Sequence, residues 1–224
     1  MSEIVTYNTI IQSKDSGENI QAKTDGQQLY VDNINSNLIT FGVGPAGSGK
    51  TFLAIACACK ALANKDVHKI VMSRPVVEAG ESLGFLPGTL KEKIDPYLQP
   101  LYDSLYDILG KDTVLKYISN GKIEIVPLAY MRGRTLSDAF IILDEAQNAT
   151  KNQLKMFLTR FGLNSRMVVT LDPTQIDLVN KDQSCIKDIQ LFNGISEISH
   201  TELDERDIVR HYIISKILRA YNNE

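Results

Sequence analysis

Eight consecutive residues, Gly44, Pro45, Ala46, Gly47, Ser48, Gly49, Lys50 and Thr51, fit the spacing G-x-x-x-x-G-K-[ST] of a loop built to hold phosphate. They stand between an apolar run, LITFGVG, and an Ala-rich helical stretch, which is where such a loop has to lie. Glycines at 44, 47 and 49 would let the backbone wrap a phosphate with its N–H groups turned inward, and the helix starting near Lys50 would add its positive dipole end. The Lys50 ammonium would reach the β- and γ-phosphates of ATP, and the Thr51 hydroxyl would hold Mg²⁺. Further along, the apolar residues 140–143 run into Asp144 and Glu145. At the end of a strand, Asp144 would order the Mg²⁺ shell and Glu145 would polarise an attacking water. Two adjacent acids could also form a solvated turn or a helix cap. A third apolar run ends in Asp172-Pro173-Thr174-Gln175. Gln175 is the candidate sensor of the γ-phosphate, and Asp172-Pro173 is equally a common turn former; the two readings are compatible.

These groups need strands that end side by side. Six short apolar runs, LITFGVG, KIVMS, KIEIVP, FIILDE, RMVVTL and ISEIS, alternate with stretches of helical spacing. That pattern predicts an α/β fold with a mainly parallel sheet and crossover helices. The uninterrupted runs are those of strands covered on both faces. The stretch at about 75–120 shows no strand and reads as a helical insertion. Residues 1–26 are polar, with an alternating piece at 5–11 that could be a strand, an arm on a neighbour, or unordered. After Asp204, a possible helix cap, Ile208, Tyr212, Ile213, Ile217 and Tyr221 share one face of a closing helix.

A chain of 224 residues, 43% hydrophobic and 23% charged, is long enough for one substantial core without metals or disulfides. Its three cysteines do not make a disulfide framework, and Cys57 and Cys59 sit in the apolar Ala-rich run rather than in a ligand cluster. With 24 basic and 27 acidic residues the net charge is −3, so any nucleic-acid contact has to come from local patches. The N-terminus lacks the pattern of a secretory leader, and the longest apolar run is far short of the roughly 20 residues of a membrane span, so a cytoplasmic location with no membrane partner is expected.

Beyond the phosphate loop, the chain carries Ser73-Arg74-Pro75, then Glu78-Ala79-Gly80-Glu81-Ser82-Leu83-Gly84-Phe85-Leu86-Pro87-Gly88, with Lys93, Pro96-Tyr97 and Tyr102-Asp103 after it. It also carries Met131-Arg132-Gly133-Arg134-Thr135-Leu136, the Asp144-Glu145-Ala146-Gln147-Asn148 box and Asp207-Ile208-Val209-Arg210-His211. In these segments it resembles the PhoH-like ATPases, a P-loop family related to the RecA-like cores of superfamily 1 helicases. The resemblance implies a single RecA-like P-loop NTPase domain over 27–224, with ATP and Mg²⁺ as cofactors. By the same resemblance, Thr24-x-x-Gln27-x-x-Tyr30 is similar to the family's base contact, so Gln27 is expected at adenine. The chain departs from the family at Leu171-Asp172, where Gly-Asp is usual, and at Val179-Asn180, where a proline is missing. The sequence as given leaves no room for a nuclease or RNA-binding domain, so ribonuclease activity is not implied.

One core holds one phosphate loop, so a cation from a neighbouring subunit is expected to complete the site. A homo-oligomeric ring, with a hexamer as the expectation, follows, with Arg210 the first candidate for that role and Arg132 and Arg134 behind it; ordinary surface ion pairs are the alternative for each. Lys91 and Lys93 would meet the backbone of RNA or single-stranded DNA, or else form the wet face of a helix. The leading function is Mg²⁺-dependent ATP hydrolysis, with Lys50, Glu145, Gln175 and Arg210 catalytic, coupled to remodelling of such a polymer. The alternatives are an ATP-gated assembly module with little turnover and a small-molecule kinase.

Overall fold

The computed structural model describes residues 7–76, 90–209 and Ile213. Along the chain come β1 (Thr9–Gln12), β2 (Asn19–Gln21), α1 (Asp25–Ser36), β3 (Ile39–Val43), α2 (Lys50–Asn64) and β4 (Lys69–Arg74). There follow α3 (Leu90–Leu109), α4 (Lys111–Ser119), β5 (Ile123–Pro127), β6 (Ala139–Leu143), α5 (Lys151–Leu158), β7 (Arg166–Leu171) and β8 (Ile198–Glu202).

All six apolar runs supply strands of one sheet, in the order β5-β4-β6-β7-β3-β8, and every pairing is parallel. The last run is displaced: the strand starts at Ile198 and continues through His200 and Thr201. Every residue of β6 is buried, as expected of a central strand covered on both faces. One face packs against α1, α2 and α3 through Tyr30, Ile55, Met72, Leu105 and Phe140. The other packs against α5 and short 3₁₀ turns through Phe41, Val71, Ile141, Phe157 and Val169. Cys57 and Cys59 lie inside the first of these layers, where burial pushes both thiols up to about 12. Among the described residues no helix is long and apolar enough to cross a membrane.

The stretch without a strand is a covering layer in its helical part. Leu98, Leu101, Leu105 and Ile108 of α3 are buried in the same cluster as α2 and β4, so α3 and α4 form the crossover from β4 to the edge strand β5. Of the expected insertion at about 75–120, residues 77–89 lie outside the described residues, and Lys91 and Lys93 fall in the first turn of α3. The N-terminal piece forms an antiparallel hairpin on its own domain: Ile10 joins the core, Ser13 Oγ donates to the Asp107 carbonyl at 2.6 Å, and the Lys14 N–H donates to that of Ile108 at 2.9 Å. Asp204 caps a 3₁₀ turn, Glu205–Asp207, rather than opening a long helix directly. The closing helix itself, apart from Ile213, lies outside the described residues.

If α3 is a structural layer, truncating its buried face should be felt throughout. Leu105→Ala should lower unfolding free energy by about 2–5 kcal/mol in urea titration, the cost of a core cavity. Leu115→Ala, at a side chain 49% exposed on α4, should change it by less than about 0.5 kcal/mol.

Candidate functional site

In this strand order the C-terminal ends of β4, β6, β7 and β3 stand in a row, the edge at which open parallel sheets bind ligands. Backbone bonds continue the register past the strands: the Gly44 N–H donates to the Leu171 carbonyl at 3.0 Å, and the Asp144 N–H to that of Ser73 at 2.9 Å. Each chemical group is thus delivered by a strand end whose neighbours fix its height.

The phosphate loop spans β3 to α2. Gly47 and Gly49 have φ near +87° and +86°, the left-handed region that costs a side-chain-bearing residue about 1–2 kcal/mol. Gly49 is the N-cap of α2 and offers no side-chain cap, at a helix end of the kind whose dipole favours an anion. Lys50 is nearly buried, and its ammonium donates to the carbonyls of Gly44 at 2.6 Å and Pro45 at 2.8 Å, with Ser48 Oγ at 3.4 Å. Thr51 turns its hydroxyl the other way and donates to Asp144 Oδ1 at 2.5 Å.

Asp144 follows β6 and is 2% exposed. Its Oδ1 also accepts from Thr170 Oγ1 at 2.7 Å, and Arg74 NH1 lies 3.6 Å from Oδ2. Glu145 adopts a left-handed backbone, φ +54° and ψ +41°, held by its N–H on Thr170 Oγ1 at 3.3 Å and its carbonyl under the Asn148 N–H at 3.0 Å. A non-glycine residue in that conformation is strained, and the effect is to swing the carboxylate into the cleft. There it accepts from Gln147 Nε2 and faces Arg74 NH2 at 3.7 Å. Burial raises its pKa above the ordinary value of 4.5, Asp144 raises it further, and Gln147, Arg74 and Lys50 pull it partly back.

A cavity of about 390 Å³ opens over these groups, lined among others by Ala46, Gly47, Gly49, Lys50, Thr51, Asp144 and Glu145. Arg74, Phe52 and Asp172 complete its polar and apolar walls, with Pro100 and Ser104 of α3. The candidates drawn from the sequence lacked Arg74 and Thr170, and also Gln147, whose amide joins Glu145 to the Asp172 N–H at 2.9 Å and to the Gln175 carbonyl at 3.1 Å. The available signal for the first two was position: Arg74 and Thr170 close or nearly close apolar runs, as Asp144 does.

Two expected contacts are oriented differently. Gln27 is 3% exposed and its carboxamide is committed within the protein: Oε1 accepts from the Lys23 N–H at 2.8 Å, and Nε2 donates to the carbonyls of Ser48 at 3.1 Å and Asp207 at 3.2 Å. No side-chain donor is left over for a base. Gln175 turns its amide onto Asp172 Oδ2 at 2.8 Å and does not line the cavity, whereas Asp172 does. Of the candidate trans-acting arginines, Arg134 is held by both oxygens of Glu124 at 2.8 and 2.6 Å, Arg132 is exposed, and Arg210 lies outside the described residues.

The family model for the PhoH-like protein matches residues 19–222. The chain is 52% identical over 219 residues to a PhoH-like protein of Bacillus subtilis, covering 97% of this chain and 69% of that protein. It is 56% identical over 206 residues to a PhoH-like protein of Mycobacterium bovis, covering 92% of this chain and 58% of that one. Among solved structures, the large terminase of a thermophilic bacteriophage superposes over 89% of this chain and 50% of its own, with a TM-score of 0.53 at 10% identity, a likeness of fold. The sheet is that of a RecA-like P-loop core, and by sequence the chain belongs to the PhoH-like protein family.

Proposed function

We propose that this chain binds ATP with Mg²⁺ and hydrolyses it. The observation that carries the reading is the meeting of Thr51, Asp144 and the strained, cleft-facing Glu145 beside Lys50. Thr51 and Asp144 offer one hydroxyl and one carboxylate, and among the described residues no cluster of three His, Cys, Asp or Glu could hold a metal. So sparse a donor set fits Mg²⁺, which keeps water and phosphate oxygens in most of its positions. Bound there, the ion would neutralise phosphate charge. Lys50 and the loop N–H groups hold the β- and γ-phosphates. Glu145 accepts a proton as water oxygen bonds to the γ-phosphorus and the bond to the β–γ bridging oxygen breaks, releasing ADP and phosphate. Arg74, beside both acids, is placed to offset charge on the γ-phosphoryl oxygens.

A ring assembly and a polymer substrate are the finer part of the proposal. Arg74 supplies an in-chain cation, so a neighbour's arginine would be an addition rather than the sole source. Arg132 is the best-placed described candidate for a neighbour or a phosphate backbone: it is exposed, has no carboxylate within 4 Å among the described residues, and stands two positions from Tyr130, itself 55% exposed. An exposed aromatic beside such a cation suits an unpaired RNA or DNA strand.

Glu145→Gln should retain ATP affinity while phosphate release falls by about 10²–10⁴-fold, the usual worth of a general base. A gated module would barely change, and ADP formation that depends on an added acceptor would favour a kinase. Because the base must be ionised, kcat should fall as pH drops through the Glu145 pKa, with the acid limb above 4.5. Arg74→Met removes a group that lowers that pKa, so the limb should move to higher pH while the plateau rate falls. Arg132→Ala should reduce the stimulation of phosphate release by single-stranded RNA or DNA, measured as the ratio of the rates with and without polymer; an unchanged ratio would rule out a polymer contact at this face.

A further inference from the structure

Gln27 and Asp207 stand 180 positions apart in sequence, yet both are buried and bonded to each other, and Gln27 also reaches the phosphate loop. The Gln27 amide bonds the loop at the Ser48 carbonyl and the 3₁₀ turn at the Asp207 carbonyl through the same nitrogen. The Asp207 carboxylate accepts from Thr24 Oγ1 at 2.5 Å and from the Asp204 N–H at 2.9 Å. Thr24 in turn caps α1 by accepting from the Gln27 N–H at 3.1 Å. A second tie runs directly from the Val209 N–H to the Gly47 carbonyl at 3.1 Å. Gly26 packs against this junction so closely that a Cβ there would lie 2.5 Å from the Asp207 carboxylate.

We propose that Gln27 and Asp207 are positioning residues that clamp the phosphate loop to residues 204–209, so that nucleotide in the loop is registered in that segment. The physical reason is satisfaction. The buried Gln27 amide uses one acceptor and both donors, and Ser48, one of its partners, also bonds Pro45 and Lys50. A loop that shifts to admit phosphate must carry Gln27 and the turn with it or leave buried polar groups unpaired. The clamp also explains why Gln27 is not turned outward toward a base. The inference rests on nucleotide binding by this loop.

Three proteins test it: the wild type, Gln27→Glu, which keeps the acceptor and deletes both donors at equal size, and Gly26→Ala, which helix propensity alone would favour. The readouts are the Kd of a fluorescent ATP analogue with Mg²⁺, amide hydrogen exchange across 204–209 with and without that nucleotide, and the urea midpoint. The wild type should bind the nucleotide and slow exchange at Val209. Both variants should lose that slowing and bind about tenfold more weakly, as expected if the competent loop falls to about one tenth of the population. A wild type that binds nucleotide with unchanged exchange at 204–209 would overturn the clamp alone. So would variants with lowered urea midpoints but wild-type Kd and protection, since the residues would then be merely structural. A wild type that binds no nucleotide would overturn both the clamp and the ATP reading.

Discussion

Asp144 is a carboxylate removed from water at the end of a strand buried along its whole length, and a charge in that position costs several kcal/mol unless it is paired. Its partners come from three other elements: Thr51 from the first turn of α2, Thr170 from β7 and Arg74 from the end of β4. Each can reach it only because β6 lies between β4 and β7, with β3 one strand further on. The strand order of the sheet and the neutralisation of one buried acid are therefore two statements of the same constraint. The phosphate loop inherits its height from the bond between Gly44 and Leu171, and Glu145 inherits its strained backbone from Thr170, the residue that also holds Asp144.

That strain has a use consistent with the rest of the cleft. A carboxylate drawn into partial burial next to another acid resists ionisation, and Gln147, Arg74 and Lys50 restrain the effect. The balance leaves a carboxylate that holds a proton more readily than a surface glutamate would, which is what the proposed role of accepting one from water requires. The same Gln147 amide reaches the turn after β7 through Asp172, so Glu145 and the wall of the cleft are tied by one side chain.

Much of this was legible in the residues. The loop Gly44–Thr51 and the acids Asp144 and Glu145 could be found from type and spacing, because backbone wrapping and strand-end chemistry leave local marks. All six apolar runs became strands, and the central β6 and β7 are uninterrupted because burial on both faces demands it; only the last run was misplaced, where polar His200 and Thr201 sit in an edge strand. What could not be read was tertiary. Nothing local says that β4 sits beside β6, so Arg74 carried no role. The amides of Gln27 and Gln175 can turn either way, and buried partners at Ser48, Asp207 and Asp172 decided their direction. The stretch 75–120 reads as a helical insertion from its lack of a strand, and only the tertiary packing of Leu98, Leu101, Leu105 and Ile108 reveals that α3 belongs to the core.

We propose that these strand ends form a site for transfer of the γ-phosphoryl group of ATP to water with the help of Mg²⁺. It is tested most directly by following inorganic phosphate released from ATP by the purified chain as Mg²⁺ is titrated from an EDTA-treated start. Phosphate release should be absent in EDTA, rise with Mg²⁺ to saturation and need no added acceptor. Phosphate no greater than in buffer at every Mg²⁺ concentration would contradict it.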